Sequence, residues 1–343
     1  MNSRSDKFII LRARPDAVIA KRWQDMLTDA EQPTHYVTPD FFSDPFVGSG
    51  ERFAVLAMSA DRVDAALTGL RNERSVTSGL AVRPQICFRS GCDQYSASEA
   101  IMNGLGDVAT GAELVEIHSW QPIGGFVGRG FGQDVATGGD QVIFLDLTRG
   151  PEQIFAEFSS RRRTALRKAM RRGRVETKLL ETDSELKELF AVHQDWCRRK
   201  GIGPDAADAF SANLTSQYRA VMIAKCNGRV VAGTFLRFCP GGVVEYAANN
   251  SLAEYVDERP NELLGWRAVE WACESGFSRM SLGASHPFLA RFGGELVSSY
   301  RYRLDKTFLK FHNNRERFAR LAAKTYFALP EPLRGRIKAT IGK

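Results

Sequence analysis

A chain of 343 residues exceeds what one hydrophobic core usually serves, so two domains of ordinary size are expected. With 43% hydrophobic and 25% charged residues and no long biased tract, the composition excludes a disordered or fibrous protein. The formal net charge of +7 favours an anionic partner, whether a nucleotide cofactor, an RNA or an acidic membrane face. The only apolar run near the start, Phe8-Ile9-Ile10-Leu11, is too short for a signal sequence or a membrane span, so a cytoplasmic protein is expected. Cys87, Cys92, Cys197, Cys226, Cys239 and Cys273 form no CxxC pair and read as thiols in a reducing compartment.

In the N-terminal half, Arg52 to Met58 reads as a strand, Ser59 to Asp61 as a turn and Arg62 to Leu70 as the answering strand. A helix follows over Ser96 to Val108, then a strand from Glu113 to Ile117. Pro122 to Asp140 is glycine-rich. Its Gly128-Arg129-Gly130-Phe131-Gly132 resembles a dinucleotide loop but feeds no helix N-terminus, so it reads as an interdomain loop. Gln141 to Leu147 precedes a strongly basic helix, and Ser184 to Lys200 is a further helix.

The clearest pattern lies between Arg219 and Leu282. Ala220 to Cys226 is strand-like, Asn227-Gly228 is the dipeptide of a two-residue hairpin, and Val230 to Phe238 returns the chain. Pro240-Gly241-Gly242 turns it again into Val243 to Asn249. Pro260 starts a helix with apolar residues at helical spacing, Gly276 ends it, and Met280 to Ala284 follows as a parallel crossover strand. This order repeats the order of the N-terminal half. One offset of 167 residues carries Arg62 onto Arg229 and Glu113 onto Met280. The expectation is an α/β (α+β) protein of two tandem units, each a mixed, mostly antiparallel sheet flanked by helices: 1–140, 141–304 and a basic tail over 305–343.

Several motifs resemble, in order and spacing, those that open and build the second unit of FemAB-related proteins of GNAT-like fold. They are Phe144-Leu145-Asp146-Leu147, the run Ser159-Ser160-Arg161-Arg162-Arg163-Thr164-Ala165-Leu166-Arg167-Lys168-Ala169, Trp196 to Gly201, the hairpin at Gly228, Arg259-Pro260-Asn261-Glu262-Leu263-Leu264-Gly265-Trp266, and Arg291 to Leu296. The resemblance covers 141–304 well and the N-terminal half faintly. It implies tandem GNAT-like domains, the second catalytic, and transfer of an acyl group from acyl-CoA to an amine on a cell-envelope, polysaccharide or lipid-linked acceptor. The family also has members that use aminoacyl-tRNA to extend peptidoglycan peptides. A noncatalytic module binding an anionic polymer is the third reading. One departure is the stretch Ser251 to Arg259, where the family places a glycine loop around the CoA pyrophosphate. Here it has no glycine and carries Glu254, Asp257 and Glu258.

Amine attack on a thioester or ester requires a proton acceptor, a stabiliser of the developing oxyanion and a clamp for the donor. Glu245, a carboxylate inside an apolar strand, is the candidate general base, with a cross-strand ion pair to Arg237 as the alternative. Strand alternation places Tyr246 on the opposite face, so the two are not expected to share a pocket; Tyr246 is either core or an acid for the leaving group. His193 and His286 are further acid–base candidates, His286 with Ser285 at a strand end where α/β clefts open. Arg259 and Asn261 flank a helix start suited to a phosphate, and Arg291 is a candidate substrate contact. The run from Arg161 to Arg174 contains no acid; Arg163, Arg167 and Arg171 share one helical face, a stripe fit for CoA phosphates, RNA or lipid headgroups. No HExxH, paired-cysteine or acidic cluster suggests a metal. Beyond residue 305, basic residues alternate with Phe308, Phe311, Phe318, Leu321 and Phe327, which permits an amphipathic helix that docks on a membrane surface or folds back on the protein.

Overall fold

A computed structural model describes residues 3–4, 7–137 and 141–329. The N-terminal half supplies β1 (Ser3–Arg4), β2 (Phe8–Leu11), α1 (Ala17–Thr28), β3 (Glu51–Ser59), β4 (Arg62–Arg71), β5 (Ser75–Ser78), β6 (Ile86–Phe88), α2 (Gln94–Val108), β7 (Leu114–Ser119) and β8 (Gly132–Val135). The chain continues through β9 (Val142–Asp146), α3 (Gly150–Glu157), α4 (Ser160–Arg172), β10 (Val175–Leu179), α5 (Asp183–Lys200) and α6 (Ala207–Thr215). Then come β11 (Arg219–Cys226), β12 (Arg229–Phe238), β13 (Val243–Ser251), α7 (Pro260–Glu274), β14 (Arg279–Ala284), β15 (Glu295–Val297), β16 (Tyr300–Asp305) and α8 (Phe311–Ala328).

The repeat seen in the sequence is physical. Asn227 and Gly228 adopt φ of 51° and 79°, the left-handed pair that a tight hairpin of this hand requires, and Ala60, at the same offset, has φ of 52°. A bulge shifts the β3/β4 register between Ala57 and Met58, and another shifts β11/β12 between Ala224 and Lys225, again 167 residues on. Strands β4 and β12 start at matching residues and share one burial pattern, with an exposed first residue, seven buried ones and a half-buried end. Each unit then closes with a parallel pair, β5 with β7 and β13 with β14, connected through α2 and α7.

Among the described residues these strands form two mixed sheets, of nine and seven strands. Helices cover both faces: α2 lies over the core around Ile101 and Leu105, and α1 over the core around Trp23 and Met26. In the second sheet, α7 encloses one core around Leu264 and Val269, while α5 and α6 enclose another around Leu189 and Phe210. The expected boundary at residue 304 falls inside β16, which lies between β7 and β8 in the first sheet. Conversely β9 runs antiparallel to β14 and completes the second sheet. The stretch expected to be an interdomain loop contains β8, a wholly exposed edge strand whose main chain pairs with β16; polar edge strands carry no alternation that would betray them. Of the expected tail, residues 330–343 lie outside the described ones.

The halves meet across a seam of buried polar groups. Val243 N–H donates to Pro33 O (3.0 Å), and Gly242 beside it has no room for a side chain, since an added Cβ would stand 2.4 Å from Pro33 O. Asp44 receives Arg219 Nη2 at 2.7 Å and His35 Nε2 at 2.7 Å, with all three side chains almost fully enclosed. Burial alone would raise the Asp44 carboxyl; the hydrogen bond from His35 and the charge and hydrogen bonds of Arg219 outweigh it and hold the group well below the usual carboxylate range. Trp120 meets Phe144 edge-on at 4.7 Å, sealing the seam with Val142 and Val243. Among the described residues no helix is long and apolar enough to cross a membrane.

Replacing Asp44 with Ala strands a buried guanidinium and is expected to cost about 3–5 kcal/mol, read as a lower melting temperature at neutral pH. Because the folded carboxyl titrates below the unfolded one, its stabilisation is complete above about pH 4 and disappears as the pH falls further. Urea unfolding across that range should therefore show a shallower acid-side loss for Asp44→Asn than for the unaltered protein; equal slopes would contradict this account.

Candidate active site

Strands β13 and β14 pair only from Val243 to Glu245 and from Arg279 to Ser281. Beyond these residues they part. Strand β13 carries one extra residue, Ala247, against β12, and β14 carries one, Leu282, against β9; each bulge bends its strand away from the other. The fork opens into a cleft of about 550 Å³. Glu245 to Asn249 form one wall, Ser281 to Ala284 with His286 and Phe288 the other, and Asn261 in the first turn of α7 also reaches it. Val82 and Arg83 arrive from the N-terminal half.

Glu245 is buried at the vertex. Its alternative reading, an ion pair with Arg237, is not what forms: the two residues are cross-strand neighbours, but Arg237 donates to Tyr36 Oη (2.9 Å). The partner of Glu245 is Arg83, whose Nε lies 3.1 Å from Oε2. Oε1 is buried and accepts no hydrogen bond from the protein. Burial pushes the Arg237 guanidinium down. Contrary to the expectation from strand alternation, Tyr246 lines the same cleft. The two side chains do leave the strand in opposite directions, but the cleft runs along the free edge of β13, where both faces open into it. Asn249 Nδ2 donates to Tyr246 Oη (3.3 Å), and Thr234 Oγ1 lies 3.3 Å away. Burial pushes the phenol up, against these two hydrogen bonds, which act to lower it.

The other predicted residues separate into those near the cleft and those elsewhere. His286 lines it, exposed, with Nδ1 accepting from Phe288 N–H (3.2 Å). Asn261 turns Nδ2 to Ser251 Oγ (3.0 Å) and leaves a buried Oδ1 without a partner. Arg259 caps α7 in a left-handed conformation and pairs with Glu262 at 3.3 Å, outside the cleft lining. Ser285 N–H donates to Gln141 O (2.9 Å) and Arg291 O accepts from Ser159 N–H (3.0 Å), both main-chain bonds; neither residue lines the cleft.

His193 sits apart, on the α5 face of the sheet. Asp205 N–H donates to its Nε2 (3.1 Å), so Nδ1 carries the proton and donates to Asn250 Oδ1 (3.0 Å). Both nitrogens are occupied, and the ring is buried between Phe190 and Phe210. Arg163 donates to the carbonyls of Ala156 and Phe158 at the end of α3, and Arg167 lies over Phe155. These two therefore tie α4 to α3 instead of facing the cleft. The end of the basic run finds its anion within the chain: Arg174 meets Glu258 at 3.0 Å, and Arg172 donates to Asp257 O (3.1 Å).

Two residues that sequence reasoning left out of the site shape it. Arg83 belongs to the other half, so no local pattern links it to Glu245. Arg162 was visible only as one of many arginines. It is buried between Phe288 and Phe292, 4.2 and 4.1 Å from the ring centroids, and Nη2 donates to Phe288 O (2.6 Å). It thereby fixes the aromatic wall of the cleft. Burial pushes its guanidinium down.

Residues 157–299 match the family model described as acetyltransferase (GNAT) domain. No curated protein matches the sequence. Among solved structures, FemX aligns with a TM-score of 0.66 at 12% identity, covering 84% of this chain and 96% of that one. L-PGS from Bacillus licheniformis aligns at 0.58 and 13%, covering 92% and 98%. A tandem GNAT protein from the clavulanic acid biosynthesis pathway aligns at 0.51 and 12%, covering 88% and 98%. The duplicated sheets and the forked cleft thus define a tandem GNAT protein. Its C-terminal unit carries the acetyltransferase (GNAT) domain, and the chain as a whole shares the fold of FemX.

If Arg83 and Glu245 are coupled, Arg83→Met and Glu245→Gln should each lower stability by about 1–3 kcal/mol, because each strands a charge at the vertex. The double variant should lose clearly less than the two losses added. Simple additivity in urea unfolding would show that the pair is not coupled.

Proposed function

We propose that this chain is an N-acyltransferase moving an acyl group from an acyl-CoA thioester to an amine on a cell-envelope, polysaccharide or lipid-linked acceptor, with Glu245 as general base. The observation that carries the reading is the fork: a cleft between parting strands, with a buried carboxylate at its vertex and a helix N-terminus at its side. From Tyr246 onward the edge of β13 has no partner on β14, so its main-chain groups are available to an extended, amide-bearing donor arm. The first-turn amides of α7 lack partners within the helix and favour an anion. The acids that sequence analysis set against a pyrophosphate do not all point there: Glu258 is engaged by Arg174, and Glu254 faces Arg229 at 3.6 Å.

Chemistry follows from these positions. Arg83 holds Oε2 of Glu245 and leaves Oε1 for the incoming ammonium, which gives up a proton there. The amine lone pair attacks the thioester carbonyl carbon, and collapse of the tetrahedral intermediate breaks the carbon–sulfur bond. The attacking nitrogen gives up its second proton to solvent as the amide forms, the departing thiolate takes one from Tyr246 Oη, which solvent reprotonates, and Glu245 returns its proton to solvent. No step calls for a metal.

One feature favours a second reading, with aminoacyl-tRNA as donor. The turn Ala253–Glu258 lacks glycine, and Arg161, Lys168 and Arg171 stand exposed on α4 as a ridge for a larger polyanion. Thiol release from acetyl-CoA and longer acyl-CoAs with a panel of amines separates the two. Activity is expected, and Glu245→Gln should lower kcat on the order of 10²-fold while the protein still unfolds cooperatively. Silence with every thioester, together with salt-sensitive tRNA binding, would replace the first reading with the second.

A further inference from the structure

Helix α8 is docked the wrong way round for a helix in water. Its polar side faces the protein: Glu316 meets Arg301 Nη1 at 2.8 Å and also pairs with Arg303, and His312 lies 3.8 Å from Glu113. Its apolar side faces out, with Phe311 58%, Phe318 71% and Leu321 61% exposed. At helical spacing these three share one face, opposite Glu316. The turn before the helix extends the patch: Phe308 is 86% and Leu309 71% exposed. That turn is pinned, since Lys310 Nζ donates to Asp305 O (2.6 Å), Asn313 N–H to Asp305 Oδ2 (2.8 Å) and Asn314 Nδ2 to Leu309 O (2.7 Å). The hydrophobic groups are therefore held outward. Large apolar side chains held outward on one face mark an interaction surface.

Charge selects the occupant. Between Phe308 and Ala328 the only acid is Glu316, already turned inward, whereas Lys310, Arg315, Arg317, Arg320 and Lys324 are cationic. A second copy of this helix would bring like charges together. The chain's own residues 330–343 carry Arg334, Arg336, Lys338 and Lys343 against Glu331, so they are equally ill suited. We infer that α8 and its preceding turn dock on an anionic lipid surface, the aromatic and leucine side chains entering the headgroup boundary and the flanking cations meeting lipid phosphates. The inference does not depend on the transferase reading.

Cosedimentation of the full chain with vesicles of phosphatidylcholine alone, or of phosphatidylcholine mixed with phosphatidylglycerol, tests it. Binding is expected to the mixed vesicles only and to weaken as salt is raised. The triple variant Phe311→Ser, Phe318→Ser, Leu321→Ser should bind on the order of tenfold or more weakly at an unchanged melting temperature, because these exposed side chains contribute little to the fold. Absence of binding to the mixed vesicles would overturn the inference, as would equal binding by the triple variant. So would a dimer in sedimentation equilibrium that the same variant abolishes, which would assign the face to self-association.

Discussion

The arrangement at the cleft depends on one buried contact between the halves, Arg83 against Glu245. A carboxylate at the vertex of two parting strands is costly to desolvate; Arg237 across the strand lies within electrostatic reach but gives its hydrogen bond to Tyr36, and the ion pair is made by Arg83. The cation comes from the other half. The remainder of the seam serves to hold that half in register: Asp44 with Arg219 and His35, Pro33 O against Val243, Trp120 against Phe144. Relative motion of the two sheets would leave Glu245 unpaired, so the seam is a condition of the site as well as of stability.

The repeat was legible because turn chemistry is local. Asn227-Gly228 dictates a hairpin wherever it stands between two apolar strands, and the same backbone geometry at Ala60 carries the signal across 167 residues. What could not be read is whatever depends on partners distant in sequence. Strand β16 looks like the end of the second unit but pairs in the first sheet, and β9 closes the second from its opposite end. For the site, Glu245, Tyr246, Asn261 and His286 are legible singly as chemistry-bearing residues, and all four line the cleft. The sharing of one cleft by Glu245 and Tyr246 was hidden, since it requires knowing that β14 leaves β13 after three residues.

The arginine run shows how composition misleads when its partners are unseen. Eight basic residues without an acid suggested an external polyanion, yet Arg162 is sandwiched between aromatic rings, Arg163 caps the end of α3, and Arg172 and Arg174 neutralise the turn that leads into α7. Each of these contacts borders the cleft elements α7 or Phe288. Much of the run is therefore internal scaffolding beside the cleft, while Arg161, Lys168 and Arg171 form an exposed ridge without such a role.

Two copies of one fold, one forked cleft: the difference follows from residues 79–85. In the second unit Glu245 stands opposite Arg237 on β12; in the first, Thr77 stands opposite Leu70 on β4, a pair with no charge to offer. Past this point β13 skips only Ala247: Tyr246 pairs with Leu236, Ala248 with Phe235 and Asn249 with Thr234. The first unit instead leaves the sheet at Gly79 and returns at Ile86, where β6 takes up pairing with Leu67. The excursion between them removes the strand edge that a donor would need in its own unit. It also carries Val82 and Arg83 into the neighbouring cleft. The same excursion thus stands where the first unit would otherwise continue its strand and, through Val82 and Arg83, lines the cleft of the second, so one structural difference accounts for both.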